Sequence, residues 1–301
     1  IMQTLKGVRH LMTSATMKQA VSEFNMPVPW GEIRGKVWGP DHGRPILCLH
    51  GWADNCGTFN TLIPLLPKEW KYVAVDMAGH GLSSHRPPGV FYSFPAYVAD
   101  IRRVIGALQW KRFSIIGHSM GGNVAGMFSA LYPEMVESVV LLDSYGFLPT
   151  DAFEKKKDEK KEKVYTYENA LMRLLAANPS LSEQSAHILL ERGLAQVEGG
   201  KIIILSLSLS LSLSLSLSLS LSPSRSLPLS LSLTLSFFYL FTLFLLLVTF
   251  RTHIIGMVVN VPGDHHVHLN TPETVAQIVT DFLQEEAPSH STAEDTQSAK
   301  L

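Results

Sequence analysis

The sequence predicts an α/β fold in which a mostly parallel central sheet carries helices on both faces and a helical lid. Short apolar runs alternate with stretches of helical periodicity, and the length of 301 residues suits one larger α/β domain with an inserted lid. A third observation modifies this expectation. An uninterrupted Leu-Ser repeat late in the chain predicts that one late strand is disrupted.

The strands are predicted from short apolar runs, which are typical of strands buried on both faces of a parallel sheet. Four such runs are Pro45–Gly51, Tyr72–Asp76, Phe113–Ser119 and Ser138–Asp143. Residues 28–38 alternate like a hairpin around Gly31 and Gly35, and Met257–Gly263 resumes as a strand near the end of the chain.

Helical periodicity fills the intervals between these runs. The predicted core helices are Phe59–Leu66, Tyr97–Leu108, Met120–Leu131 and Thr271–Glu286. Two further amphipathic helices, Glu168–Ala177 and Ser182–Arg192, form the predicted lid, with Ser182 as an N-cap and Gly193 as a stop.

These elements divide the chain into six segments. They are a loose leader (1–25), the N-terminal part of the core (26–149), the helical lid (150–200), a low-complexity segment (201–253), the C-terminal part of the core (254–286) and a flexible tail (287–301).

The low-complexity segment contains nine Leu-Ser repeats, from Leu205 to Ser222, and an apolar run from Phe237 to Phe250. An alternating strand of this length would far exceed the usual ~5–6 residues. Leu231–Phe250 is 20 residues without a charge, enough for a membrane helix. We favour a third interpretation, a retained intron, because a repeated CT dinucleotide translates as alternating Leu and Ser in every forward frame.

Charge and cysteine content exclude several functional classes. With 25 Lys and Arg against 26 Asp and Glu, the net charge is −1, so neither nucleic acid nor an acidic membrane surface is an expected partner. Cys48 and Cys56 cannot form a disulfide framework and indicate a reducing compartment. No cysteine and histidine spacing of the zinc type occurs, and neither a metal nor a cofactor is predicted.

A candidate nucleophile lies in Gly117-His118-Ser119-Met120-Gly121, which fits G-x-S-x-G between a predicted strand and a predicted helix. Such a tight turn exposes a serine hydroxyl at the carboxyl edge of the sheet. The alternative is a glycine-rich turn in which Ser119 only caps the helix.

The loop after the first buried strand supplies the predicted oxyanion hole. We assign its donors to the backbone N–H groups of Trp52 and Met120, while His50 is predicted to be a hydrogen-bonded strut under the loop. Late in the chain, His265 is the preferred general base because it immediately follows a strand-end turn, with His266 and then His268 ranked behind it.

At four places the chain resembles the α/β-hydrolase fold and, within it, the serine hydrolase-like protein family. The motifs are LCLHGWADN, VAVDMAGHGLSSHRPPG, GHSMGGN and VPGDHHVHLNTPE, and the resemblance runs over 26–200 and 257–284. It implies a serine nucleophile at Ser119, oxyanion donors at Trp52 and Met120, and a histidine at His265. A serine nucleophile points to esters, thioesters, amides or a carbon–carbon bond next to a carbonyl, so the expected partner is a small acyl substrate.

The sequence does not supply an acid for the expected triad at the usual position. The fold usually places it after the strand that follows the lid, but no Asp or Glu occurs between Glu198 and Asp264. Asp264 adjoins His265 and should point elsewhere, Asp76 is expected to anchor a loop, and Asp143 remains as an alternative acid. Besides an active serine hydrolase, the sequence therefore leaves open a weakened or inactive protein and a hydrolase anchored by Leu231–Phe250.

The chain ends in Ala-Lys-Leu after a polar segment, which resembles the Ser-Lys-Leu peroxisomal address. The expectation is an intracellular, peroxisomal protein that binds an import receptor through its tail, with the cytoplasm or perinuclear vesicles as alternatives.

Overall fold

The computed structural model describes residues 20–144, 164–197, 201–204 and 258–285. Four segments lie outside these residues: the Leu-Ser repeat, the uncharged stretch 231–250, the tail 287–301 and most of the predicted leader. The predictions made for them stay predictions. Among the helices described, none has the length and apolar character needed to cross a membrane.

A six-stranded sheet forms the centre of the fold, in the order β1-β2-β4-β3-β5-β6. Its strands are β1 (Val21–Val28), β2 (Gly31–Trp38), β3 (Pro45–Leu49), β4 (Lys71–Val75), β5 (Phe113–His118) and β6 (Val136–Leu142). The β1–β2 and β2–β4 pairs are antiparallel, whereas β3 pairs with β4 and β5, and β5 with β6, in parallel. The predicted mostly parallel α/β fold is thereby confirmed.

Helices pack on both faces of this sheet, and further helices form the lid. They are α1 (Phe94–Leu108), α2 (Met120–Leu131), α3 (Tyr167–Ala177), α4 (Glu183–Gly193), α5 (Val267–Asn270) and α6 (Glu273–Glu285). Because side chains alternate along a strand, Leu47 of β3 packs with residues of α1 and α2, while its neighbour Cys48 packs on the opposite face with residues of α6. Both cysteines are free and buried.

The lid combines α3 and α4 with a small antiparallel sheet in the order β7-β9-β8. These strands are β7 (Val164–Tyr165), β8 (Leu194–Val197) and β9 (Lys201–Ile204). The Ser182 side chain caps α4 by accepting a hydrogen bond from the backbone N–H of Ser185, as predicted. Because β9 pairs with β8, this sheet continues four residues into the segment that the sequence assigns to low complexity.

Three predictions about individual elements are wrong. The hairpin turns before Gly31 and not around Gly35, because Val21–Val28 pairs along its whole length with Gly31–Trp38. The predicted helix 59–66 is instead two short 3₁₀ turns, Cys56–Phe59 and Ile63–Leu65, since Pro64 has no N–H with which to continue a helical ladder.

The last predicted strand is the third of these errors. Residues 258–263 form no strand, and among the described residues β6 is the edge of the sheet. The side chains of Val258 and Val259 are 90% and 45% exposed. An apolar run becomes a strand only where a neighbouring strand takes up its backbone hydrogen bonds, and residues 258–263 pair with none of the described strands.

A buried ion pair fastens the lid to the core. Arg192, in the last turn of α4, donates from Nε and Nη2 to Oδ2 of Asp76 over 3.1 and 2.9 Å, at the end of β4. The backbone N–H groups of Cys56 and Leu82 also donate to this carboxylate. Asp76 therefore anchors loops of the core, as predicted. It also binds Arg192 of the lid, a contact that the sequence does not predict.

We expect Arg192→Met to lower the free energy of unfolding by about 3–5 kcal/mol, because the fully buried Asp76 carboxylate would lose its cation. Chemical denaturation monitored by circular dichroism measures this. Arg103→Met is the matched control, since Arg103 is half exposed in its pair with Asp100 and its loss should cost at most about 1 kcal/mol. Equal losses in the two variants would contradict the anchoring role.

Candidate active site

Ser119 lies on a strained turn between β5 and α2. Its backbone adopts φ = 50° and ψ = −117°, a combination that non-glycine residues rarely take. The Ser119 N–H donates to the carbonyl oxygen of Leu142, at the end of the adjacent strand β6. The turn therefore places Ser119 at the carboxyl edge of the sheet, where the sequence predicts a nucleophile.

Small residues on both sides make this turn sterically feasible. A Cβ on Gly117 would lie 2.7 Å from the carbonyl oxygen of Gly121, and a Cβ on Gly121 would lie 2.1 Å from that of Leu49 in β3. Real Cβ atoms do not approach backbone atoms so closely. The two glycines of the motif are thus required for α2 to start directly against the ends of β3 and β5.

The loop after β3 packs directly against the nucleophile. A Cβ on Gly51 would stand 3.3 Å from the Ser119 Cβ, which places the following Trp52 beside this turn. Ala53, the next residue, has a positive φ of 57°. Trp52 follows Gly51 and Met120 follows Ser119, so the two residues to which the sequence assigns the oxyanion-hole N–H groups both adjoin this contact.

His50 occupies the structural position predicted for it. Its Nε2 accepts a hydrogen bond from the Met77 N–H over 2.9 Å, and its Nδ1 contacts the Gly51 carbonyl oxygen over 2.7 Å. The ring is buried, and this burial lowers its pKa. Both nitrogens are occupied in bracing the loops that follow β3 and β4.

His265 pairs with Asp143 at the same edge of the sheet. The His265 Nδ1 lies 2.5 Å from the Asp143 Oδ2, although 122 residues separate them in the chain. Asp143 directly follows β6 and has a positive φ of 43°, a conformation that Asp tolerates better than most residues. With Nδ1 held by the carboxylate, Nε2 is the nitrogen left to exchange a proton.

Asp264 does not orient the base. Its Oδ1 accepts the backbone N–H of His266 over 2.7 Å, and both of its carboxylate oxygens accept from the Asn270 side chain. Asn270 also donates to the carbonyl oxygen of Ser180, so this carboxylate serves the contact between the His265 loop and the lid. The exclusion of Asp264 as the acid is thus consistent with the geometry, and Asp143 occupies the place that the sequence left as an alternative.

The two histidines ranked behind His265 are buried. His268 contacts the hydroxyl of Thr58 through Nε2 over 2.8 Å, and burial lowers its pKa from 6.5 to about 3. Burial likewise lowers the pKa of His266 to about 4, whereas the His265 side chain is 44% exposed. His265 is thus the histidine of the three that combines solvent access with a carboxylate partner.

Within the described residues, no group of three or more histidine, cysteine and acidic side chains is arranged to hold a metal ion. The histidine-rich loop instead packs on His118, the residue before the candidate nucleophile. The His118 ring centroid lies 4.7, 5.3 and 4.2 Å from those of His265, His266 and His268, respectively.

Sequence reasoning gave no role to His118, Asp54 or Arg192, all of which are buried around the site. One signal was accessible for His118, because the residue before the serine ends a buried strand. No local pattern marks Arg192, because its partners Asp76 and Glu23 lie 116 and 169 residues away in the sequence.

Comparison with known families agrees with this fold. The family model for the alpha/beta hydrolase fold matches residues 44–185. A serine hydrolase-like protein from Danio rerio is 53% identical, over 94% of this chain and 94% of its own length. Serine hydrolase-like protein 2 from Homo sapiens is 38% identical, over 88% of this chain and 94% of its own length.

Solved structures show the same architecture. The hypothetical protein PA1622 from Pseudomonas aeruginosa PAO1 aligns with a TM-score of 0.64 and 26% identity, covering 87% of this chain and 99% of its own. A thioesterase domain from the curacin biosynthetic pathway aligns with a TM-score of 0.53 and 27% identity, covering 61% of this chain and 69% of its own.

The buried histidines predict a loss of stability on acidification. Below pH 6.5 the unfolded chain takes up protons that folded His266 and His268 do not bind until about pH 4 and 3. The free energy of unfolding should therefore fall between pH 6.5 and 4, by about 1.4 kcal/mol per pH unit for each such histidine. Urea denaturation over this range measures the slope.

His268→Gln is the matched variant, because it keeps a polar group beside Thr58 but removes one titrating ring. Its stability should depend on pH less steeply than that of the wild type, by about one proton. Identical slopes for the two proteins would show that His268 is not held neutral by burial.

Proposed function

The chain belongs to the α/β-hydrolase superfamily and, within it, to the serine hydrolase-like proteins, and from this we propose that it cleaves an ester, thioester or related acyl bond through Ser119, His265 and Asp143. The observation that carries the proposal is the strained turn of Ser119, φ = 50°, next to a loop whose histidine already holds a carboxylate. Such strain persists where surrounding structure enforces it, and it is characteristic of functional sites.

The proposed reaction begins with attack of the Ser119 Oγ on the acyl carbonyl carbon. The His265 Nε2 takes the hydroxyl proton as the new C–O bond forms, and the Asp143 carboxylate stabilises the resulting imidazolium through Nδ1–H. The N–H groups of Trp52 and Met120 donate to the oxygen that becomes negatively charged. His265 then gives this proton to the leaving group. The bond between the acyl carbon and the leaving group breaks, and the acyl group stays on the Ser119 Oγ as an acyl-enzyme.

Water completes the cycle. The His265 Nε2 removes a proton from the water as it attacks the acyl carbon, and then returns a proton to the Ser119 Oγ. Among the described residues no hydrogen bond joins Ser119 to the His265 ring. Catalytic hydrogen bonds are commonly completed only when substrate is bound.

The class of bond follows from the nucleophile and from one structural neighbour. An alkoxide attacks an acyl carbon and gives an ester that water can hydrolyse. The thioesterase domain that aligns with this chain favours thioesters among acyl substrates. The Asp143 pairing favours an active enzyme over the inactive protein that the sequence left open.

A fluorophosphonate probe should label the wild-type protein, and Ser119→Ala should abolish the labelling, because this probe reacts covalently with an activated serine hydroxyl. Ser129→Ala is the matched control, since Ser129 lies in α2 and its hydroxyl donates to the Ala125 carbonyl oxygen. Mass spectrometry of the labelled peptide measures both. Label retained in Ser119→Ala would refute the assignment of the nucleophile.

Asp143→Asn should lower kcat for a p-nitrophenyl ester by about 10⁴, since the asparagine side chain cannot hold a protonated imidazole in the same way. Asp264→Asn is the control, because it keeps an oxygen that accepts the His266 N–H, and its kcat should stay within about tenfold of wild type. A larger loss in Asp264→Asn than in Asp143→Asn would reverse the assignment of the acid.

A further inference from the structure

His118 is a buried polar residue to which the proposed mechanism gives no role. It is the last residue of β5 and immediately precedes Ser119, and its side chain is 1% exposed. Burying a polar ring costs free energy unless its nitrogens form hydrogen bonds inside the protein. Its two nitrogens therefore show what the ring does.

One nitrogen of the His118 ring contacts the backbone of the candidate base, His265. The His118 Nε2 lies 2.8 Å from the main-chain carbonyl oxygen of His265, 147 residues later in the sequence. Since a carbonyl oxygen can only accept, Nε2 carries the proton and donates it. The hydrogen bond ties the residue before the nucleophile to the backbone of the base.

The other nitrogen faces a buried carboxyl group. The His118 Nδ1 lies 3.8 Å from the Asp54 Oδ2, and neither atom has a hydrogen-bond partner among the described residues. The Asp54 Oδ1 is occupied by the Asn55 N–H. Burial raises the pKa of Asp54 to about 7, so this carboxyl holds its proton over a range in which ordinary carboxyls are ionised.

The surroundings of His118 keep it neutral. Burial is the largest cause that lowers its pKa, and the rings of His268, His265 and His266 lower it further. Asp76 raises the pKa of Asp54, with a smaller effect than burial. A neutral ring that donates from Nε2 has an unprotonated Nδ1.

His118 also contacts the oxyanion loop. A Cβ on Gly51 would lie 3.0 Å from the His118 Nδ1, so no side chain fits between this ring and the backbone that leads to Trp52. The ring is thus wedged between the proposed oxyanion loop and the loop of the base.

We propose that His118 is a positioning residue, which holds the His265 backbone through its Nε2–H from its place between the oxyanion loop and the loop of the base. This inference rests on the proposed function for its effect on catalysis, but the anchoring itself can be measured without activity. A base displaced by about 1 Å is expected to cost up to about 10²-fold in rate.

Two amide variants test the hydrogen bond. In His118→Gln the amide nitrogen reaches approximately the position of Nε2, whereas in His118→Asn it is one methylene too short. We expect His118→Asn to lose about tenfold or more in kcat for a p-nitrophenyl ester with KM little changed, and His118→Gln to retain most of the wild-type kcat. Rates are divided by the number of sites that a fluorophosphonate titrates, so unfolded protein does not enter the comparison.

Hydrogen exchange supplies the readout that does not need catalysis. The backbone N–H groups of Val267 and Leu269 donate to the carbonyl oxygens of Asp264 and His266, respectively, in the loop that His118 holds. These amides should exchange faster in His118→Asn than in wild type, and at the wild-type rate in His118→Gln.

Equal kcat values per site in the two variants, or unchanged exchange in His118→Asn, would overturn the inference. If the wild-type protein shows no hydrolysis that depends on Ser119, the proposed function fails instead, and the exchange rates still decide whether His118 anchors the loop.

Discussion

The geometry of the site depends on one steric constraint, the turn that reverses the chain between β5 and α2. Ser119 can adopt φ = 50° because Gly117 and Gly121 leave room for the first turn of α2 against β3 and β5. A Cβ on Gly122 would lie 2.4 Å from the Ser144 hydroxyl oxygen, so the same turn also brings close the loop that begins with Asp143. Backbone packing around three glycines thus brings the candidate nucleophile and the candidate acid to one edge of the sheet.

Patterns that local physics controls could be predicted from the sequence. The predicted ends of the buried strands β3, β4, β5 and β6 lie within two residues of the observed ends, because apolar runs buried on both faces leave a strong signal. The prediction of α2 matches the observed bounds, and Ser119 was found because its motif requires the strand and helix that flank it. The signal for each of these features lies in the residues of the element and those that flank it.

Features that depend on distant partners could not be predicted in the same way. The choice of Asp143 requires knowing that its carboxylate and the His265 ring meet, although 122 residues separate them. The predicted strand at 257–263 failed for a related reason, since a run of apolar residues does not reveal whether a neighbouring strand exists. The short turns at 56–65 follow Asn55, whose side chain accepts the Gly57 N–H, and a periodicity search does not register such caps.

Three aspartates near the site differ in environment, and the environment separates their roles. Asp76 is fully buried but compensated by Arg192 and two backbone N–H groups, so its charge stabilises the contact between core and lid. Asp54 is buried without a cation, and its raised pKa favours the neutral form that faces His118. The Asp143 side chain is 58% exposed and contacts His265, whose side chain is 44% exposed. The carboxylate that stabilises a transient imidazolium must contact the ring that becomes charged, and of these three aspartates Asp143 alone contacts His265.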